Sequence, residues 1–178
     1  MKRSAALLLL LLACGQSAPE GARREVVQHW PARGSRAPIV RVRGREVVKA
    51  GDWVKEGQFV FYDRDGREVG RGGYSDGLEH GPWVQTEESS HVAKGSFRMG
   101  RREGPWAYTF SSGQQQEEGT YVSGQRTGLW QRWYEDGTLA EECTYREGKR
   151  HGECRFFGPQ GSQDELLSGR YKMGERVK

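Results

Sequence analysis

Gly128-Leu129-Trp130-Gln131-Arg132-Trp133-Tyr134-Glu135-Asp136-Gly137, followed by Thr144-Tyr145-Arg146-Glu147-Gly148-Lys149-Arg150-His151-Gly152, is the stretch on which the fold turns. Its opening phrase recurs upstream as Gly81-Pro82-Trp83 and Gly104-Pro105-Trp106. Read from one opening glycine to the next, the repeats begin at Gly57, Gly81, Gly104, Gly128 and Gly152, with steps of 24, 23, 24 and 24 residues. A fixed period of this size marks a repeat architecture. A second glycine lies nine residues on, at Gly66, Gly113, Gly137 and Gly161, with Ser90 in its place in the second repeat. Later come Tyr74, Phe97, Tyr121, Tyr145 and Tyr171, each followed three residues on by a glycine.

Each repeat therefore reads as strand, tight turn, strand, wider turn. Asp65-Gly66 and Asp136-Gly137 are hairpin signals, because both residue types tolerate positive φ. Alternation puts Trp106, Tyr108 and Phe110 on one face, with Ala107 and Thr109 on the other. No long stretch shows a helical apolar period, and 26 glycines argue against long helices. The expected fold is all-β: an elongated, single-layer antiparallel sheet of repeated hairpins.

The pattern resembles the MORN-repeat family, in particular its bacterial variant, which includes repeats labelled antitoxin-like. The resemblance covers roughly residues 51–178. It implies a sheet that grows hairpin by hairpin. The second repeat departs from it at Glu87-Glu88-Ser89-Ser90, which lacks the turn glycine.

If Tyr74, Phe97, Tyr121 and Tyr145 face Gly81, Gly104, Gly128 and Gly152, then Gly72–Trp83, Gly95–Trp106 and Gly119–Trp130 also face each other, 11 residues apart. An indole lying over bare glycine backbone covers it from water, the arrangement called aromatic rescue. Cys143 and Cys154 take the glycine and tryptophan positions of the next pair at the same separation of 11. That register brings them within disulfide reach; the other reading is two separate small apolar fillers.

Met1-Lys2-Arg3 and the apolar run Ala5–Leu12 form a signal-peptide pattern. It ends in Leu11-Leu12-Ala13-Cys14, which resembles the bacterial lipobox. The resemblance implies cleavage before Cys14, lipidation of Cys14 and, with Gly15 rather than aspartate next, an outer-membrane location. The expected layout is a signal peptide over 1–13, the lipidated Cys14 with a flexible tether over 14–38, and a capping hairpin over 39–56. Five repeats follow, at 57–80, 81–103, 104–127, 128–151 and 152–178. In the capping hairpin, Arg43-Gly44-Arg45 reads as the turn. Residues 20–49 carry eight Lys or Arg against three Glu, a net +5, whereas residues 50–178 carry 18 against 21, a net −3. A repeat region without net positive charge does not suit nucleic acid.

His80 and His151 share a repeat position and read as turn residues. Glu87-Glu88, Glu117-Glu118 and Glu141-Glu142 read as solvated strand, since neighbours on a strand point to opposite faces. No metal, cofactor or catalytic constellation is expected. Tyr108, Phe110, Trp133 and Tyr134 are the candidate accessible binding face. The leading expectation is a non-enzymatic, membrane-anchored envelope lipoprotein that scaffolds a protein partner. The alternatives are an antitoxin- or immunity-like protein and a glycan or peptidoglycan binder.

Overall fold

The computed structural model describes residues 17–29, 40–86 and 91–177, so Cys14 and the signal-peptide segment lie outside the described residues. The chain divides into two units, residues 1–78 and 79–178. The described residues contain fourteen strands and no helix, and every pairing is antiparallel.

The first unit contains β1 (Arg23–His29), β2 (Val40–Lys49), β3 (Asp52–Lys55), β4 (Gly57–Tyr62) and β5 (Glu68–Ser75). β1 pairs with β2, β2 with both β3 and β4, and β4 with β5. Two expectations fail here. Residues 23–29, read as tether, form a strand: Val26 stands opposite Gly44 and Gln28 opposite Val42. Gly44 is not a turn residue, for β2 runs straight through it. A Cβ at Gly44 would lie 2.3 Å from the Phe59 ring. The glycine is there to let that ring lie flat, and the hairpin closes instead at Ala50-Gly51, between Lys49 and Asp52.

The second unit contains β6 (Leu78–Thr86), β7 (Val92–Arg98), β8 (Arg101–Thr109), β9 (Gln115–Val122), β10 (Gln125–Trp133), β11 (Leu139–Arg146), β12 (Lys149–Phe156), β13 (Gly169–Lys172) and β14 (Glu175–Arg176). Each strand pairs with the next in sequence. The result is an open sheet built from local contacts.

The turns are the reverse of the expected ones. The connections read as wide are two-residue loops: Met99-Gly100 joins Arg98 to Arg101, with φ of 50° and 75°. Positive φ at both central residues defines the turn whose twist matches the strands. The Asp-Gly connections are the longer ones. Tyr134 N–H donates to Thr138 O at 2.8 Å across Glu135-Asp136-Gly137, and only the glycine has positive φ.

The tight turns alter the register. Val122 faces Gln125 and Tyr121 faces Arg126, not Gly128. Two extra residues of β10 then bulge out, with Gly128 at φ 66° among them. Beyond the bulge Gln131 faces Glu118, which restores Trp130 to its place beside Gly119. The opening glycine does meet an aromatic, but that of its own repeat: Gly104 faces Tyr121, and Gly128 faces Tyr145.

One row crosses the second unit: Trp83, Gly95, Trp106, Gly119, Trp130, Cys143, Cys154, Gly169. The Trp106 and Trp130 indoles lean over the glycines of the preceding strands. A Cβ on Gly95 would meet the Trp106 ring at 2.2 Å, and one on Gly119 the Trp130 ring at 2.2 Å. Trp106 Nε1 donates to Ser96 O at 3.1 Å and Trp130 Nε1 to Thr120 O at 3.2 Å, so both polar edges are satisfied. Trp106 is 1% exposed.

Gly119→Ala is therefore expected to destabilise by about 1–3 kcal/mol, the usual cost of overpacking. A urea titration followed by tryptophan fluorescence reads this directly. An unchanged midpoint would show that Trp130 does not rest on the Gly119 backbone.

Candidate functional site

The face that carries the tryptophans is the one on which sequence patterning places most of the chemistry. Edge-to-face rings link Trp83 to Phe97, Phe97 to Trp106, Trp106 to Tyr121, Tyr121 to Trp130 and Trp130 to Tyr145, with centroids 4.9–6.2 Å apart. Such pairs contribute about 0.5–1.5 kcal/mol each beyond their burial.

A row of cations lies over these rings. The Arg102 guanidinium sits 4.6 Å from the Trp106 ring, Arg126 4.0 Å from Trp130, and Arg150 4.8 Å from Phe156. In the first unit Lys55 lies 4.4 Å from Tyr74 and 5.4 Å from Phe59. These residues stand two positions before the opening glycines Gly57, Gly104, Gly128 and Gly152. That two-residue interval is visible in the sequence.

Carboxylates complete the network. Glu117 and Glu141 bracket Arg132 across β9, β10 and β11. Arg126 pairs with Glu117 at 2.7 Å, while Arg132 and Arg150 pair with Glu141 at 3.2 and 2.9 Å. Glu141 is buried. Burial pushes the Glu117 carboxyl above the usual carboxylate range, and the Arg126 charge only partly offsets it. The reading of these glutamates as solvated is thus corrected for Glu117 and Glu141, while Glu87 and Glu88 lie outside the described residues. Glu118 and Glu142 point to the reverse face, while Glu117 and Glu141 point into the network. Alternation allows both outcomes, and it is the arginine row that draws the second pair inward.

The four candidate face residues separate. Tyr108 is buried, with its hydroxyl 3.3 Å from that of Tyr121. It does not stay accessible, because it shares the face of Trp106 and Arg102 covers both rings. Burial, then the Tyr121 hydrogen bond, raise its pKa well above the ordinary phenol value. Phe110, Trp133 and Tyr134 are half-buried, Phe110 beside the Ser111-Ser112-Gly113 loop and the other two beside the Asp136-Gly137 loop. Phe110 packs edge-on to His91 at 5.4 Å, and Tyr134 donates to Phe157 O at 2.9 Å. Tyr134 also lines a shallow concavity of about 410 Å³ with Arg132, Phe156, Phe157, Asp164 and Leu167. Beside it the loop after β12 presents Leu166, 84% exposed, and Leu167, 51% exposed. That loop is pinned: Asp164 Oδ1 accepts from both leucine N–H groups, and Tyr171 donates to Leu167 O at 2.8 Å. The resulting surface is a fixed aromatic and aliphatic rim.

His80 and His151 lie in β6 and β12, not in turns, since the turn before β12 falls earlier, at Glu147-Gly148. Among the described residues no three His, Cys, Asp or Glu side chains gather as metal ligands. Cys143 and Cys154 are joined by a disulfide, with Cα atoms 4.2 Å apart, and both are buried. They face each other directly across β11 and β12.

No protein-family model matches the chain, and no curated protein matches it.

Removing the bridge with Cys143→Ala and Cys154→Ala is expected to lower stability by up to roughly 3 kcal/mol, the bound for so short a loop. Hydrogen exchange should localise the loosening to β11–β13. A uniform loss of protection across β6–β14 would show that the bridge is not a local clamp.

Proposed function

We propose that the chain is a non-enzymatic, MORN-type repeat lipoprotein of the bacterial cell envelope, held by lipid on Cys14, that scaffolds a protein partner. The observation that carries this reading is how the packed face uses its own groups. Its indoles lie on glycines, its arginines lie on the indoles, and the buried Glu141 and half-buried Glu117 pair with the arginines. The chemistry on that face serves the sheet. Among the outward-facing apolar groups of the second unit, the rim of Tyr134, Leu166 and Leu167 is pinned by hydrogen bonds.

The hairpin repeat supports the family resemblance through its period and its recurring glycine–tryptophan pairs. The Cys143–Cys154 bridge suits an oxidising compartment, which agrees with the signal-peptide pattern. A single acyl chain binds membranes only marginally, so a mature lipoprotein carries more than one.

Intact-mass analysis of the native protein should find cleavage before Cys14 and acyl groups on it. A photo-crosslinker placed at Leu166, activated in cells, should capture one dominant protein. An unmodified Cys14 overturns the anchor. Capture no stronger at Leu166 than at the exposed Arg98 overturns the rim as the contact surface.

A further inference from the structure

β2 carries Arg41, Arg43 and Arg45 at alternate positions, all exposed. Val42 and Gly44 between them point the other way, and Gly44 lies beneath Phe59. The three arginines therefore stand on the reverse of the packed side of the first unit. β1 adds to that side. Val27, 43% exposed, stands opposite Arg43, and Arg23 stands opposite Val47. β4 and β5 extend it, with Val60 opposite Arg43 and Arg71 opposite Val60.

The charges on this face are not balanced. Glu25 stands opposite Arg45, and Glu68 pairs with Arg71 at 3.1 Å. Nearby Glu56 already binds Lys49 at 3.1 Å. Among the described residues Arg23, Arg43 and Arg45 have no ion pair. Two features fit the face to a lipid surface: it is basic, and Val27 gives it an apolar spot between arginines.

The chain before β1 ties this face to the anchor position. Gly21 N–H donates to Val48 O at 2.9 Å, and Val48 N–H donates to Ala22 O at 2.8 Å. The sheet thus takes hold of the chain seven residues after Cys14. Seven residues reach at most about 25 Å. A lipid at Cys14 would hold β1 and β2 near the bilayer surface.

We propose that the reverse face of β1–β2 docks on the anionic phospholipid head groups of the membrane that holds Cys14. It is a second, electrostatic contact beside the acyl anchor. This placement rests on the lipid-anchor reading, but the contact itself is testable without the lipid. Near a negatively charged membrane each arginine strengthens binding roughly fivefold, and added salt weakens the contact.

The test uses the chain from residue 14 with Cys14→Ser, which keeps every described residue and has no acyl group. It is sedimented with vesicles of phosphatidylcholine alone or with about one third phosphatidylglycerol. Binding is expected only to the anionic vesicles, and is expected to fall with salt. The triple variant Arg23→Gln, Arg43→Gln, Arg45→Gln should lose at least about tenfold in partition. Arg98→Gln with Arg101→Gln should change nothing. As a variant-free check, hydrogen exchange of the parent chain should show vesicle protection in β1 and β2 but not in β8–β10. Equal binding to neutral vesicles, an unaffected triple variant, or protection elsewhere overturns the proposal. Binding to polyglutamate without vesicle binding also overturns it, and assigns the face to an acidic protein. Because the protein is unacylated, failure here leaves the Cys14 mass measurement standing, and an unmodified native Cys14 leaves this result standing.

Discussion

An indole ring resting flat on glycine backbone is the contact on which the rest of the second unit depends. A sheet with no second layer has little to bury its apolar face against. Glycine removes the Cβ that would hold a neighbouring ring away, and the ring then covers peptide groups as well as its own face. Trp106 becomes almost inaccessible although only strands surround it. The Phe and Tyr edges fill the gaps between indoles, and the arginine stems and guanidinium planes close the top. The core of this protein is therefore one side chain thick and made by a single sheet folding its own side chains down.

That arrangement requires a register, and the backbone supplies it by two linked devices. A two-residue turn fixes the pairing beside it, as Val122 with Gln125. Left alone, that register would misplace Trp130 by two residues along the strand. The glycine bulge at Gly128 absorbs those residues. Turn and bulge make sense only together, which explains why each long-range ring contact is matched by a short-range glycine. Where Cys143 and Cys154 replace glycine and tryptophan, the ring that held the two strands is gone and a covalent bond holds them instead.

Much of this was legible in the sequence. The period, the all-β class, the Gly95–Trp106 and Gly119–Trp130 pairs and the facing of Cys143 with Cys154 all follow from spacing. Spacing works because side-chain direction on a strand has a strict period of two. The turns were misread because Met99 and Ser123 do not advertise positive φ, whereas Asp65 and Asp136 do. The pairing of Tyr121 with Gly128 failed for the same reason: a bulge changes register without changing residue count. Gly44 reads as a turn in the sequence because its partner, Phe59, lies 15 residues away rather than 11. β1 is not legible because its exposed, mostly polar run Arg23–His29 shows no apolar alternation until its partner strand is known. The arginine row was readable by interval, but an arginine two residues before a glycine has no meaning until the ring beneath it is known.

The same physics divides the labour of the two faces. On the packed face, substitution at a ring, its glycine or its arginine disturbs the other two, so that face is poorly free to vary for a partner. The reverse face has no such obligation. In the first unit it carries Arg43 and Arg45, and in the second Leu129, 53% exposed, beside Pro105 and Thr120 over the same glycines that bear the indoles. Between Pro105, Thr120 and Leu129 the strand alternation leaves a shallow hollow there, floored by backbone. Sequence is thus freest on the reverse face and at the loops, where the repeat sets the spacing of side chains without dictating which ones they are.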